Sequence, residues 1–391
     1  MKKKRTIASK FFLQPLKALA VVGFSFIIVW GYAQIALNLS FLNPISEAIA
    51  NFSITDKYYQ MMPEMENRSV TIVDLTSLHD RGEIACALEE IEACRPAAIG
   101  MDCVFEGRKT DTLADNAIRS VAERYHNIVF SYRLLNEQTD GIGYSRSVHS
   151  FFTDEISVRE GVTNMQRDNM YNGIKRNLKL GWMQNGNREL SLVGEIVNLY
   201  AGTEVITAWD NDVNINFAPT HFTLLEPLEI QQYKHLIEGR IVLFGAMADE
   251  TDMHYTPIGK MAGVELLAYA TQTLLEDRQI KEPPFWLQVV MAVLLVMLTN
   301  VLQLVYLRWT SGSKSPLVFH VMGSAYVLGV VTFLWIAMIM WVTFLCFNLY
   351  NVSVELGWPI AAMAFLATSR SFYAACEDYY KLWKQRKPKK K

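Results

Sequence analysis

The sequence predicts an α/β extracytoplasmic domain, with a mainly parallel sheet flanked by helices, inserted between transmembrane helix 1 and a bundle of three C-terminal transmembrane helices. Three observations predict it. Between residues 69 and 283, short β-branched runs alternate with helical segments of 11–16 residues, the pattern of right-handed βαβ units in a parallel sheet. Apolar segments long enough to cross a bilayer precede and follow that region. Charge is segregated: Lys and Arg number 6, 21 and 10 over residues 1–37, 38–283 and 284–391, against 0, 36 and 3 acids. An acidic middle between basic flanks argues against nucleic-acid binding by the globular part. With 51% hydrophobic residues in 391, the composition fits a membrane protein carrying one substantial domain.

The chain opens on a basic cytoplasmic end, residues 1–15, containing MKKKR. Residues 16–37 are apolar for a bilayer's length and show no small-x-small cleavage pattern, so they read as an uncleaved first span. The basic residues before it place the amino end inside and the following domain, 38–283, outside.

That domain should begin with a short helix over residues 44–52. SVTIVDL is a strand with Asp74 near its end, GEIACALEEIEACR an amphipathic helix, and PAAIGMDCVF a strand carrying Asp102. TDTLADNAIRSVAERY and NIVFSYRL continue as helix and strand; ELSLVGEIVNLYAG is a helix and VNINFAP a strand. Ile241 to Gly245 reads as a buried strand, followed by a polar turn over 249–257. From Gly263, the residues Val264, Leu267, Ala268, Thr271, Leu274 and Leu275 recur at helical spacing and lead to Pro283-Pro284.

Three more spans follow, at 284–307, 317–347 and 354–375, joined by a cytoplasmic loop, 308–316, and a periplasmic one, 348–353, and closed by a basic cytoplasmic tail, 376–391. The third, 31 residues long, exceeds what a hydrocarbon core of about 30 Å requires, so tilt or an interfacial stretch is expected. The fourth is less apolar and holds Arg370 near its inner end, where the side chain can snorkel. Four crossings put Arg308, Lys314 and the tail on the same side as the amino end. Cys86 and Cys94 on one helix stand about 12 Å apart, too far to bridge, and no zinc-ligand spacing occurs; both read as small buried thiols.

Strand-Gly, a short acidic loop, Asp-x-His-x-Thr-Pro (Asp252, His254, Thr256, Pro257), then Gly263-Val264-Glu265 and a Leu-rich helix together resemble the end of the second type of CHASE domain. This is the extracellular sensory domain associated with cyclases and histidine kinases. Gly100-Met101-Asp102-Cys103-Val104-Phe105, Asp111-Thr112-Leu113-Ala114, GVTNM and NGIKRNLKLGW extend the resemblance in the family's order over most of 38–283. Asn172 stands where the family commonly has Asp. The resemblance implies a sensory module and a bacterial source, in which the Asn-x-Ser sequons at Asn38, Asn51, Asn67 and Asn351 carry no glycan.

In an open α/β sheet the ligand crevice lies at the carboxyl ends of parallel strands. Asp74, Asp102 and the 245–257 loop belong there, so Asp74, Asp102, Asp252, His254 and Thr256 are the candidate ligand-binding residues, for a cation or a polar metabolite. The competing reading is structural: aspartates at strand-to-helix junctions cap loops and helices, and Asp252 and His254 orient the turn before Thr256-Pro257. Arg176 suits either an anion or a surface acid, and Glu265 is favoured at a helix start by the dipole alone. No nucleophile-base signature or cofactor motif marks an enzyme.

The expectation is therefore a stand-alone sensor of an unknown small ligand in a bacterial inner membrane, both termini cytoplasmic, signalling through a membrane or envelope protein partner or its own oligomer. After Ala375 about sixteen residues remain, too few for a kinase, cyclase or phosphatase domain. A structural or assembly subunit of an envelope complex is the alternative, and a membrane-bound enzyme the third. The basic tail sets topology and touches anionic lipid of the bilayer, or docks a protein.

Overall fold

The structure, a computed structural model, describes residues 15–38, 53–137, 143–165 and 173–386. The helix expected over 44–52 and Asn172 lie outside them. The described chain forms two compact units, residues 59–280 and the helical segments on either side.

After α1 (Pro15–Asn38) and the short α2 (Ile54–Tyr59), which up to Tyr58 belong to the second unit, the first unit runs through β1 (Met65–Asp74), α3 (Arg81–Ala93), β2 (Ala98–Met101), α4 (Thr112–Arg124) and β3 (Ile128–Glu137). Both helices start where an aspartate caps them: Asp80 accepts from Glu83 N–H, and Asp111 from Leu113 and Ala114 N–H. β4 (Tyr144–Val148), β5 (Arg159–Val162), β6 (Asn177–Leu178), β7 (Gly181–Gln184) and β8 (Asn187–Leu190) lead to α5 (Leu192–Ala201), capped by Ser191 and ended by Gly202 in the left-handed region at φ 68°. The unit closes with β9 (Val213–Asn214), β10 (Thr220–Leu225), β11 (Ile241–Gly245), the hairpin β12 (Met253–Thr256) and β13 (Gly259–Ala262), and α6 (Gly263–Leu275).

The main sheet is mixed. Its neighbours run β10-β1-β11-β2-β3-β4-β7-β8, with β5 also on β3. The pairings among β10, β1, β11, β2, β3 and β5 are parallel, whereas β3 with β4 and β7 with β8 are antiparallel. Along β2, Ile99 and Met101 join the core under α3 and α4, with Leu88, Ile91, Ile118 and Val121. Gly100 faces the opposite way, where a Cβ would stand 2.2 Å from Ile196 Cδ1 of α5. Helices thus cover both faces, and the period-2 alternation of the strand assigns each residue to one of them.

Two expectations change. VNINFAP forms strand only over Val213–Asn214, paired with β6; the strand that joins the main sheet here is β10, with Thr220 and His221 opposite Met65 and Glu66. Asn216 explains the interruption: its N–H donates to Thr273 Oγ1, its Nδ2 to Arg278 carbonyl, and its Oδ1 accepts from Ala218 N–H, so this backbone bonds to side chains and a helix end instead of a ladder. Cys94 is buried as expected, but Cys86 is exposed, because α3 turns Ala85, Leu88 and Ile91 inward.

The helical unit holds α1, α7 (Phe285–Ser311), a π-helical turn (Leu317–Met322), α8 (Ala325–Tyr350), α9 (Gly357–Ala364) and α10 (Leu366–Arg386). Three helices among the described residues are long and apolar enough to cross a membrane: Leu16–Gln34, Phe285–Ser311 and Ala325–Tyr350. The stretch expected as one span over 317–347 is therefore divided: Gly323 ends the π turn, and Ser324 caps α8 by accepting from Val327 N–H. The stretch expected over 354–375 is two helices that meet at Phe365. Together they retrace α1 in the opposite direction. Tyr32 stacks on Phe365 at 5.4 Å, Ser25 Oγ donates to Ser369 Oγ at 2.9 Å, Phe24 meets Phe372 edge-on at 5.2 Å, and Lys17 Nζ pairs with Glu377 Oε1 at 2.9 Å.

One buried ion pair ties the start of α3 to the first turn of α4. Arg81 donates to Asp115, which is 1% exposed, and to the Gly107 and Glu106 carbonyls at 2.8 and 2.9 Å, while its guanidinium lies 4.9 Å from the Phe151 ring. Burial alone would raise the Asp115 carboxyl; the Lys109 N–H and Arg81 outweigh it and hold it below the usual range. The folded protein therefore gains from this carboxylate above the unfolded pKa of about 4 and loses that gain as pH falls below it. Replacing Arg81 by Met should leave Asp115 buried without its counter-charge and cost about 3–5 kcal/mol, read as a lower midpoint in denaturant unfolding of the domain.

Candidate functional site

The carboxyl ends of β1, β11 and β2 stop level with one another, since Asp74 pairs with Gly245 and Met101 with Phe244. Asp102, the first residue past β2, keeps the register by donating its N–H to Phe244 carbonyl at 2.9 Å. Asp74 and Asp102 thus emerge at the same edge of the sheet, on either side of β11, as the sequence predicts.

Their surroundings differ. Asp74 Oδ1 accepts from the N–H and hydroxyl of Thr76 and from Met247 N–H at 3.0 Å, so it ties the loop after β1 to the loop after β11. Asp102 accepts one side-chain bond, from Thr163 Oγ1 at 2.8 Å. Burial pushes its carboxyl up to about 6; the Thr163 bond and His254 act against this, and the charge of Asp252 adds to it.

Asp252 and His254 come from the turn and β12. Asp252 Oδ1 and His254 Nε2 stand 3.1 Å apart, with the imidazole the more enclosed of the two. The Asp252 carboxylate lies over the first turn of α6: a Cβ on Gly263 would come within 2.1 Å of Asp252 Oδ2. Glycine there lets a carboxylate approach the positive end of a helix of 13 residues. Glu265 in the same turn is half-buried, which raises its carboxyl.

Thr256 stands apart from this group. Its hydroxyl donates to Gly259 carbonyl at 2.7 Å and closes the β12–β13 hairpin, so its role is the turn. Lys175 N–H donates to Tyr255 carbonyl at 2.7 Å, and Arg176 carbonyl accepts from Ile215 N–H, which docks the segment after residue 172 beside the same hairpin. Among the described residues no three His, Cys, Asp or Glu side chains gather closely enough to hold a metal ion.

Sequence reading overlooked two contributors. Thr163 lies within the GVTNM motif, whose other polar residue, Asn164, bonds both ways to Leu134 of β3, at 2.6 Å through Oδ1 and 2.9 Å through Nδ2. The second is a cleft of about 560 Å³ that begins at Cys103, one residue past Asp102, and is lined also by Arg81, Glu106, Lys109, Asp111 and Arg133; Asp74, Asp102, Asp252 and His254 do not line it. Burial pushes the Cys103 thiol up to about 11, with the Asp102 charge adding to it, so the group stays a thiol at neutral pH. Its size is that of a small-molecule site, and charges of both signs line it.

A family profile for the CHASE2 domain matches residues 28–304, more than half of the chain. The chain belongs to the CHASE2 family. No curated protein and no solved structure matches it. CHASE2 is a sensory domain, and the motif order read from the sequence now has a physical basis: Gly100 admits α5, Asp102 meets Thr163, Asp111 caps α4, and Gly263 receives Asp252.

The raised Asp102 pKa has a consequence for stability. Since the folded group holds its proton up to about 6 while the unfolded one loses it near 4, folding is favoured least above pH 6. Between pH 4.5 and 7.5 the unfolding free energy should fall through this group by about 2 kcal/mol, and Asp102→Asn should flatten that dependence. Thermal unfolding of the detergent-solubilised chain at several pH values checks it; an unchanged profile in the variant would mean that Asp102 is ionised at no cost.

Proposed function

We propose that this CHASE2 protein is a membrane-anchored sensor that recognises a small polar ligand at the sheet edge around Asp102, Asp252 and His254 and passes the signal to a membrane partner or to its own oligomer, without catalysing a reaction. The observation that carries this reading is the position of the Asp252 carboxylate. It sits on the first turn of α6, at hydrogen-bond distance from His254 and within electrostatic reach of Asp102, so a ligand that engages any of the three alters the charge at that helix start. The connector after α6 is short: residues 276–284 lead directly into α7. This direct chain connection is the route by which a change at α6 is proposed to reach α7.

The side chains of the crevice support binding over catalysis. Asp74 bonds the two loops together, Thr256 its own hairpin, and Cys103 remains protonated, so the crevice supplies clamps and acceptors where a hydrolase would need a nucleophile beside a base.

The proposed setting is a bacterial inner membrane, with the domain periplasmic and both termini cytoplasmic. The antiparallel seam between α1 and the α9–α10 pair supports it, because Lys17 near the start of α1 meets Glu377 beyond the middle of α10. Basic residues around Lys17, Arg308, Lys314 and the tail then fall on one side.

A thermal-shift screen of the solubilised chain against amino acids, organic acids and sugars tests ligand recognition. A ligand at about a hundred times its Kd should raise Tm by roughly 5–10 °C, and Asp102→Asn or His254→Ala should lose most of that rise. Absence of any shift, with a fixed-ratio envelope assembly recovered from native membranes, would replace the sensor by a scaffold.

A further inference from the structure

The helical unit holds a cation inside its apolar layer for which it provides no counter-charge. Arg370 of α10 donates from Nη1 to Asn300 Oδ1 at 3.0 Å and from Nη2 to Gln303 Oε1 at 2.8 Å, both on α7. Gln303 Nε2 in turn donates to Thr332 Oγ1 of α8 at 2.9 Å, and that hydroxyl donates to Leu328 carbonyl. No carboxylate pairs with Arg370 among the described residues. Asn300 is fully buried, and its Nδ2 has no acceptor. The cluster therefore has an uncompensated positive charge and a surplus of donors, in a layer where water cannot supply acceptors and where an ionisable residue ordinarily finds a partner.

We infer that Arg370 is the docking point for an acidic side chain carried within a transmembrane helix of a different protein. Three observations select this occupant. The first is depth. Asn300 precedes Arg308, at the basic end of α7, by eight residues, about 12 Å along the axis, so the cluster lies well inside the layer where lipid phosphates reside, whereas a helix can present a carboxylate at any depth. The second is composition: residues 16–37 contain no acid, and 284–391 only Glu355, Glu377 and Asp378, outside the apolar segments, so a second copy cannot supply the group. The third is shape. Ala367, Ser371 and Ala374 are exposed on α10, three and four residues from Arg370 or next to it, and their small side chains leave room for a helix backbone to approach. The inference names the partner chemistry of the sensor reading above and rests on it; ligand-induced stabilisation of the domain is a separate readout, so either can fail alone.

Photo-crosslinking in native-host membranes tests it, using the full chain with a photoreactive amino acid at Ala367 and peptide mass spectrometry of the product. The expected product is a helix from another protein with an Asp or Glu in its inner half. Its yield should drop about tenfold or more in Arg370→Gln and in the partner's acid-to-amide variant, and stay within about threefold of wild type in Arg370→Lys, which keeps the charge. Ser371→Val leaves the cation in place and fills the approach; it should abolish the same product, which keeps the test decisive if Arg370→Gln disturbs folding. Crosslinks only to lipid, only to another copy of this chain, to helices without a carboxylate, or none at all would overturn the inference, as would a yield indifferent to Arg370→Gln.

Discussion

The placement of β11 between β1 and β2 is the constraint on which the sensory domain depends. Parallel pairing on both sides ends the three strands level, so the residues that follow them leave the sheet at one edge. The loops there have no ladder to join, and their backbone groups are satisfied by side chains instead: Asp74 for Met247 and Thr76, Asp80 for Glu83, Asp111 for the first turn of α4. The abundance of aspartate at this edge follows first from that need.

Not every acid there is accounted for by capping. Asp102 has one hydroxyl donor, lies near Asp252, and is pushed towards its neutral form, whereas Asp115 a short way off is held ionised by Arg81 and a backbone N–H. Two carboxylates at the same end of one sheet are thus pushed in opposite directions, because Asp115 receives a guanidinium and a backbone N–H where the buried Asp102 receives one hydroxyl. With its carboxyl pushed up to about 6, Asp102 changes charge just below neutral pH, whereas Asp115 does so well below it.

The helical unit follows the same accounting in a drier setting. Hydroxyls pair with hydroxyls or with carbonyls one turn back, as at Ser25, Ser369 and Thr299, and Trp335 Nε1 donates to Thr299 Oγ1 at 3.0 Å. Against that background the Arg370 cluster stands out, since its amides are neutral and one amide donor is left over. Apolar packing of Val21, Val29, Val296, Ile339 and Leu366 surrounds the neighbouring helices and makes such a surplus costly.

What the sequence determined by itself was the order of elements, the family, the first two apolar spans and the two aspartates at the strand ends, because period-2 and period-3.6 patterns and strand-terminal polar residues are local properties. It also located Asp252 and His254, through a motif dense enough to read in one stretch. Tertiary structure decided the rest. Thr256 serves its hairpin, the strand at 220–225 replaces the one expected at 213–219, and Thr163 reaches Asp102 across 61 positions, which no local spacing encodes. The apolar runs at 317–347 and 354–375 look continuous in sequence, yet Gly323-Ser324 and Phe365 interrupt them, and only the seam along α1 shows that the last two helices act together. Arg370 reads alone as a residue that can snorkel; its two amide partners, on another helix, hold it against α7 instead.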